Sequence, residues 1–310
     1  MKIRLGYACV PITIEETSSH SLTYTNYKKL GSRANEKLDS VIKKNFESLE
    51  KILKYNIRND IIFFRMTSEL IPLANHPNVI YDFITPYKSY YKKIGKIIKE
   101  NNLRVDLHPS AYTVLNSVNE DVVNSTINIL EFYQKMYECM KIKSKIVLHV
   151  GSKIGGKKAG IKRFIENFNK LNNELKDMIV VENDDKSYNI RNVLSLCEKL
   201  DIPMVLDYHH YKVNKNNEKI EDYIERIFNT WKDDIPKIHF SSPKDKKNKR
   251  SHNDYINVDD FIDFLEKIKF TNRDFDVMIE AKKKDDALFR LIRELKYKTD
   301  YKIEKNTIYI

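Results

Sequence analysis

Eight short apolar segments punctuate this chain, at residues 2–9, 61–66, 104–108, 145–150, 178–182, 204–207, 237–240 and 276–280. Between them the apolar residues recur at three- and four-residue spacing. Leu38, Val41, Ile42, Phe46, Leu49, Ile52 and Leu53 form one such stripe, and Val122, Val123, Ile127, Leu130, Tyr133 and Met136 another. That spacing predicts amphipathic helices, with further ones at 163–175, 190–200, 220–231, 258–268 and 287–295. Strands alternating with helices give an α/β fold with a parallel sheet. Eight such units over 310 residues fit a single (β/α)8 TIM barrel better than an open doubly wound sheet. The barrel is expected over residues 1–298, and 299–310 form a C-terminal extension, either a short added strand or a loose tail.

With the strands drawn, chemistry-bearing residues gather at one end of each. His108 ends the third, His149 lies near the end of the fourth, Glu182 ends the fifth, Asp207 ends the sixth, His239 lies in the seventh and Glu280 ends the eighth. In a barrel that end is the C-terminal face, where active sites are assembled from several strands. His210, three residues past Asp207, and His252, after the seventh strand, can reach the same face. A lone histidine at a strand end is most often structural, but six polar residues at equivalent positions point to a shared task. Clustered carboxylates and imidazoles are costly to bury without cations. Divalent metals would remove that cost, and with only Cys9, Cys139 and Cys197 far apart in sequence, the ligands must be His, Asp and Glu. Such donors suit zinc or manganese. Two or three closely spaced ions are the apparatus of phosphodiester hydrolysis, which points to a metal-dependent nuclease.

Charge agrees with a polyanionic partner without requiring one. The formal net charge of +11 favours nucleic acid, although a composition rich in Lys, Asn and Ile also arises from an AT-rich genome. Position is more informative. HVGSKIGGKKAG, after the fourth strand, puts Lys153, Lys157 and Lys158 on a glycine-rich loop at the candidate face, and PKDKKNKR (243–250) lies between His239 and His252. The second run equally fits a nuclear localisation signal, a pattern of low specificity. No apolar run is long enough to span a bilayer and the first residues lack the pattern of a secretory leader, so a soluble protein inside the cell, without a membrane partner, is expected.

At these residues the sequence resembles the UV damage endonuclease family, relatives of endonuclease IV. The resemblance runs through RLGY (4–7), FFRMTSELIP (63–72), the HP of 75–77, LHP (107–109), LHVG (148–151), VENDD (181–185), LDYHH (206–210), KIHFSSPK (237–244), RSH (250–252) and MIEAK (278–282). It implies an endonuclease acting as a monomer on damaged double-stranded DNA, nicking immediately 5′ to a pyrimidine photodimer with two or three divalent ions. Manganese is the expected metal, with zinc or magnesium as alternatives. By position Glu182 resembles the bridging carboxylate, with His108 and His149 at one ion, Asp207, His239 and Glu280 at a second, and His210 and His252 at a third. Lys237, two residues before His239 and so on the same side of its strand, matches a lysine that the family places beside the metals and can carry carboxylated.

For lesion recognition the resemblance points to Tyr7 and Tyr112 as aromatic probes. Two departures touch this role: Ala111 stands where most relatives carry Gln, and Val10 and Pro11 where they carry Asn. The rival readings are an abasic-site endonuclease of the endonuclease IV type, a metal-dependent sugar isomerase, and a barrel that binds DNA without cutting it. His20 and His76 are expected to be structural, and His209 to point away from its neighbour His210.

Overall fold

Period-two alternation sorts the strand residues into those facing the barrel axis and those facing the helices. The computed structural model describes residues 1–74 and 76–310, so Asn75 of the HP stretch lies outside the described residues. The strands are β1 (Lys2–Ala8), β2 (Phe63–Met66), β3 (Arg104–Leu107), β4 (Lys145–His149), β5 (Ile179–Glu182), β6 (Met204–Asp207), β7 (Lys237–Phe240) and β8 (Phe275–Ile279). All pair in parallel with their sequence neighbours, and β1 pairs with both β8 and β2, which closes the barrel. Outward residues such as Ile3, Leu5, Ile146, Leu206 and Ile238 join the large apolar core beneath the helices.

The axial side is unusual in being largely polar. On β7 the inward pair is Lys237 and His239, on β3 Arg104 and Asp106, on β2 Arg65, and on β8 Asp276, as their ion pairs with one another require. Among the described residues, apolar side chains on the axis form two small clusters, Val147, Val180 and Val205 with Trp231, and Ala8 with Phe63 and Met278. Near the N-terminal mouth, Asp276 is fully buried and takes both Arg4 and Arg104. The Arg104 guanidinium also lies 5.3 Å from the Trp231 ring centre and 5.4 Å from that of Phe63.

The helices depart from expectation in instructive places. The predicted helix at 163–175 is two helices, Lys157–Asn169 and Asn173–Met178, because the Asn172 side chain accepts from Leu175 N and starts a new N-terminus. Met178 therefore ends a helix instead of opening β5. The predicted helix at 220–231 narrows to Ile224–Asn229 after a single 3-10 turn, Ile220–Asp222. Residues 302–309 are a hairpin, β9 (Lys302–Glu304) and β10 (Thr307–Tyr309), and β10 pairs antiparallel with Lys2–Arg4 of β1. Among the described residues no helix is long and apolar enough to cross a membrane.

The Asp276 junction yields a direct test of the polar axis. Removing one partner of a buried ion pair leaves uncompensated charge at a cost of about 3–5 kcal/mol. Asp276→Asn is expected to lose about 3 kcal/mol in urea unfolding, and a loss below ~1 kcal/mol would show that solvent at the mouth already screens the two arginines.

Candidate metal centre

Strand endings bring the site together. His149, Glu182 and Asp207 are the last residues of β4, β5 and β6, while His108 and Glu280 follow directly on β3 and β8. Glu182, 1% exposed, is the hub. His108 Nε2 lies 2.9 Å from its Oε2 and His239 Nδ1 2.9 Å from its Oε1, with His149 Nε2 at 3.7 Å and His210 Nδ1 at 3.6 Å. Three sets of donors each lie within 4.8 Å of one another: His108, His149 and Glu182; Glu182, Asp207 and His210; and Asp207, His239 and Glu280.

Local hydrogen bonds fix the middle of the cluster. Asn183 and Asp207 exchange two bonds of 2.9 Å, Asn183 Nδ2 to Asp207 O and Asp207 N to Asn183 Oδ1. The Asp207 side chain then caps the short helix Tyr208–Val213 by accepting from His210 N at 2.6 Å. Its other oxygen, Oδ2, is buried with no hydrogen-bond partner, as is His149 Nδ1. An unpartnered carboxylate oxygen among imidazoles fits the donor set of a divalent cation.

The electrostatics agree. Burial lowers the pKa of His149 and of His239, so both favour the neutral form that ligates. Burial, reinforced by Glu182 and Glu280, raises Asp207 well above the usual carboxylate range. A divalent ion would restore its charge. Against burial, hydrogen bonds from His108 and His239 hold Glu182 well below the usual carboxylate range, and Arg65 does the same for Glu280.

Several sequence expectations need correction. Tyr7 is not a probe: it alternates with the inward Gly6 and Ala8, so its ring faces the helices, 0% exposed, 5.1 Å from the Phe64 ring, with its hydroxyl donating to Asn56. His252 belongs to none of the three donor sets among the described residues. Its ring centre lies 6.4 Å from that of His210 and 5.3 Å, edge-on, from that of His209, which is itself buried and brought down to about 4 by that burial. Lys237 lies below the ligands, its ammonium on Asp106, and burial lowers its pKa to about 8. Tyr112, by contrast, is 87% exposed at a turn in the loop after β3. Lys153 is exposed in the loop after β4, and Lys157 and Lys158 are exposed in the first turn of the helix Lys157–Asn169 that follows it. The run 243–250 is part of a closed loop, bridged at Pro243 and His252 and organised by Asp245, with Lys246, Lys247 and Lys249 exposed. Val10 holds the left-handed φ of 63°, a conformation costly for a branched side chain.

Two functional neighbours escaped the sequence reading. Arg65 donates from Nη1 to Glu280 Oε1 at 2.5 Å, and its Nη2 lies 2.7 Å from His239 Nε2. His239 is thus engaged at both nitrogens, and one contact must yield for it to ligate. Asp106 stands two residues before His108, the same spacing as Lys237 to His239, so period two could have found it. A cavity of about 1220 Å³ at the opposite mouth reaches Asp106 and Lys237 from below but is lined by none of the candidate ligands.

Fold and site define a (β/α)8 barrel with a His and carboxylate centre at the C-terminal mouth of its strands. The chain belongs to the UV-endonuclease UvdE family, whose model matches residues 3–308. It is similar to the UV DNA damage endonuclease of Bacillus cereus strain B4264, 40% identical over 301 residues and 95% of each chain, and to that of Bacillus anthracis strain A0248 at 38% with the same coverage. Among solved structures it resembles SacUVDE, with a TM-score of 0.87 and 32% identity over 95% of this chain and 98% of that one. Endonuclease IV from Thermus thermophilus shares the fold, with a TM-score of 0.58 and 11% identity over 96% of this chain and all of its own (100%). The chain is accordingly a DNA repair endonuclease of the UV damage type.

The donor sets predict how the fold responds to metal. Manganese added to chelator-stripped protein at about 100 times its dissociation constant should stabilise the native state by ~2.7 kcal/mol, which raises the unfolding midpoint by roughly 5 °C. Asp207→Asn should remove most of that increment, and an increment equal to the parent's would show that Asp207 is not a ligand.

Proposed function

We propose that this chain is a metal-dependent endonuclease that nicks double-stranded DNA immediately 5′ to UV photoproducts, cyclobutane pyrimidine dimers and 6-4 photoproducts. The observation that carries the reading is Glu182, buried among four imidazoles beside the unpartnered Asp207 oxygen. When bound, two or three divalent ions, manganese in this reading, supply Lewis acidity toward phosphate oxygens and make a coordinated water acidic near neutral pH.

The chain's own residues divide the remaining work. Glu182, His108 and His149 would hold one ion and Asp207, His239 and Glu280 a second, with Glu182 shared between them, and His210 would hold a third position that His252 borders. His149 and His239 keep lone pairs available because burial holds them neutral. Arg65 keeps Glu280 ionised and oriented. Lys237 and Asp106 form a charge-balanced floor beneath them, and Lys237 is the candidate for carboxylation. Around the mouth, Lys153, Lys157, Lys158, Lys246, Lys247 and Lys249 contact backbone phosphates, which position DNA without reading its sequence. Tyr112 stacks on bases exposed by the lesion, where unstacking costs least.

The decisive experiment incubates the protein and manganese with duplexes carrying one defined cyclobutane dimer, one abasic site or no damage, and maps the cut. A nick directly 5′ to the dimer, leaving a 3′-hydroxyl, is expected. Cutting confined to the abasic duplex would replace this reading with the endonuclease IV type, and binding without any cut would overturn catalysis. Glu182→Gln should abolish nicking while leaving the fold intact; activity within about tenfold of the parent would reject its bridging role.

The basic loop after β7 makes a separate prediction. Each lost phosphate contact flattens the plot of log affinity against log salt by about 0.9. Changing Lys246, Lys247 and Lys249 to Gln should therefore flatten the slope measurably, whereas an unchanged slope would place that loop off the DNA path.

A further inference from the structure

Two neighbouring turns at the metal-bearing mouth each lift one large apolar side chain into solvent. In the loop after β3, Thr113 N donates to Ser110 O at 2.9 Å, which puts Ala111 and Tyr112 at the tip. In the loop after β4, Gly156 N donates to Lys153 O at 2.8 Å, which puts Ile154 and Gly155 at the tip. Ile154 is 59% exposed. Gly155 and Gly156 hold φ of 78° and 95°, angles that only glycine adopts freely, and allow so tight a turn.

The two turns are built as one unit. Asn116, fully buried, exchanges bonds with Ser152, Nδ2 to Ser152 O at 2.7 Å and Ser152 N to Oδ1 at 2.9 Å. Arg163 spans both loops, donating from Nε to Asn116 O at 2.8 Å and from Nη2 to Ile154 O at 2.7 Å. Tyr188 adds a bond from its hydroxyl to Ser152 O at 2.9 Å. A backbone clamped at the very residue whose side chain is exposed holds that side chain out. Residues 150–165 contain Lys153, Lys157, Lys158, Lys162 and Arg163 and no acid, so the apolar tip stands within a surface suited to phosphates.

We propose that Ile154 is a specificity-determining wedge that enters the base stack beside the lesion, paired with Tyr112. Apolar side chains flanked by cations open base steps in this way, and the unstacking energy is smallest where damage has already weakened the stack. The Ala111 side chain, at the other tip, cannot hydrogen-bond the unpaired bases, which gives shape and unstacking a larger share of the discrimination. The inference rests on the reading of this chain as a lesion endonuclease.

The test uses the manganese-loaded full chain and two duplexes with one cyclobutane dimer. One is cleavable; the other has a methylphosphonate at the 5′ linkage and 2-aminopurine next to the dimer. Ile154→Ser should lower both the 2-aminopurine fluorescence rise on binding and the nicking rate by about tenfold, with the unfolding midpoint and the salt slope of binding unchanged. Ile154→Leu should behave as the parent. If the parent nicks and Ile154→Ser unstacks the reporter equally well, the wedge is overturned and the function stands. If Ile154→Ser changes the salt slope instead, Ile154 acts through the lysines and the wedge is again overturned. A parent that nicks neither a photodimer nor an abasic duplex overturns the function and the wedge together.

Discussion

Charge buried along the barrel axis must be balanced at every level, and that requirement organises the molecule. At the N-terminal mouth Asp276 is shared by Arg4 and Arg104; one level up, Asp106 holds Lys237 and faces Arg65; at the top Arg65 meets Glu280 and His239, which meets Glu182. Ordinary barrels of this class fill the axis with branched apolar side chains. Here an ionic column replaces most of that packing, and its uppermost level is left short of positive charge around Asp207. Foundation and active centre are thus one electrostatic structure. Arg65 belongs to both, since it neutralises the floor and competes for a histidine that ligation needs.

Much of this was legible in the sequence because it depends on local periodicity. Each apolar segment became a strand, 204–207 and 237–240 with the expected bounds and the others with one or both ends displaced by a residue or two, and the alternating polar residues fell at the C-terminal mouth as β-strand geometry demands. His108, His149, Glu182, Asp207, His210, His239 and Glu280 gather there. Tyr7 failed because its motif was read without its parity: Gly6 and Ala8 hold the inward positions, so the tyrosine between them turns to the helix side. Asn172 acts through capping and Tyr188 through long-range bonds of its hydroxyl, neither of which periodicity reveals. Arg65 looked like an ordinary strand residue, since the partners that define it lie 174 and 215 positions away.

The mouth combines surfaces of different character. The loops after β3 and β4 present Tyr112 and Ile154 as apolar tips on a hydrogen-bonded base, while the loop after β7 presents lysines on a turn held by Asp245. The first side sets apolar tips beside Lys153, Lys157 and Lys158, whereas the second exposes Lys246, Lys247 and Lys249. Ala111 and the left-handed Val10 lie on loops at this same rim, so neither departure touches the residues of the three donor sets.

The pairing of β1 also bears on how the barrel is made. Its barrel partner β8 and the added strand β10 meet it across about 270 to 309 positions of chain, with Lys2 N bonded to Asp274 and Met1 N to Ile310 O. Contacts so distant in sequence are slow to form. As synthesis proceeds, β1 therefore waits with an open, hydrogen-bonding edge until the far strands emerge, and such an edge invites mispairing. Once docked, the hairpin seals that edge along Lys2–Arg4, where β2 does not reach. It acts as a late latch, so that the first strand of the barrel is secured by a segment about 300 positions further along the chain.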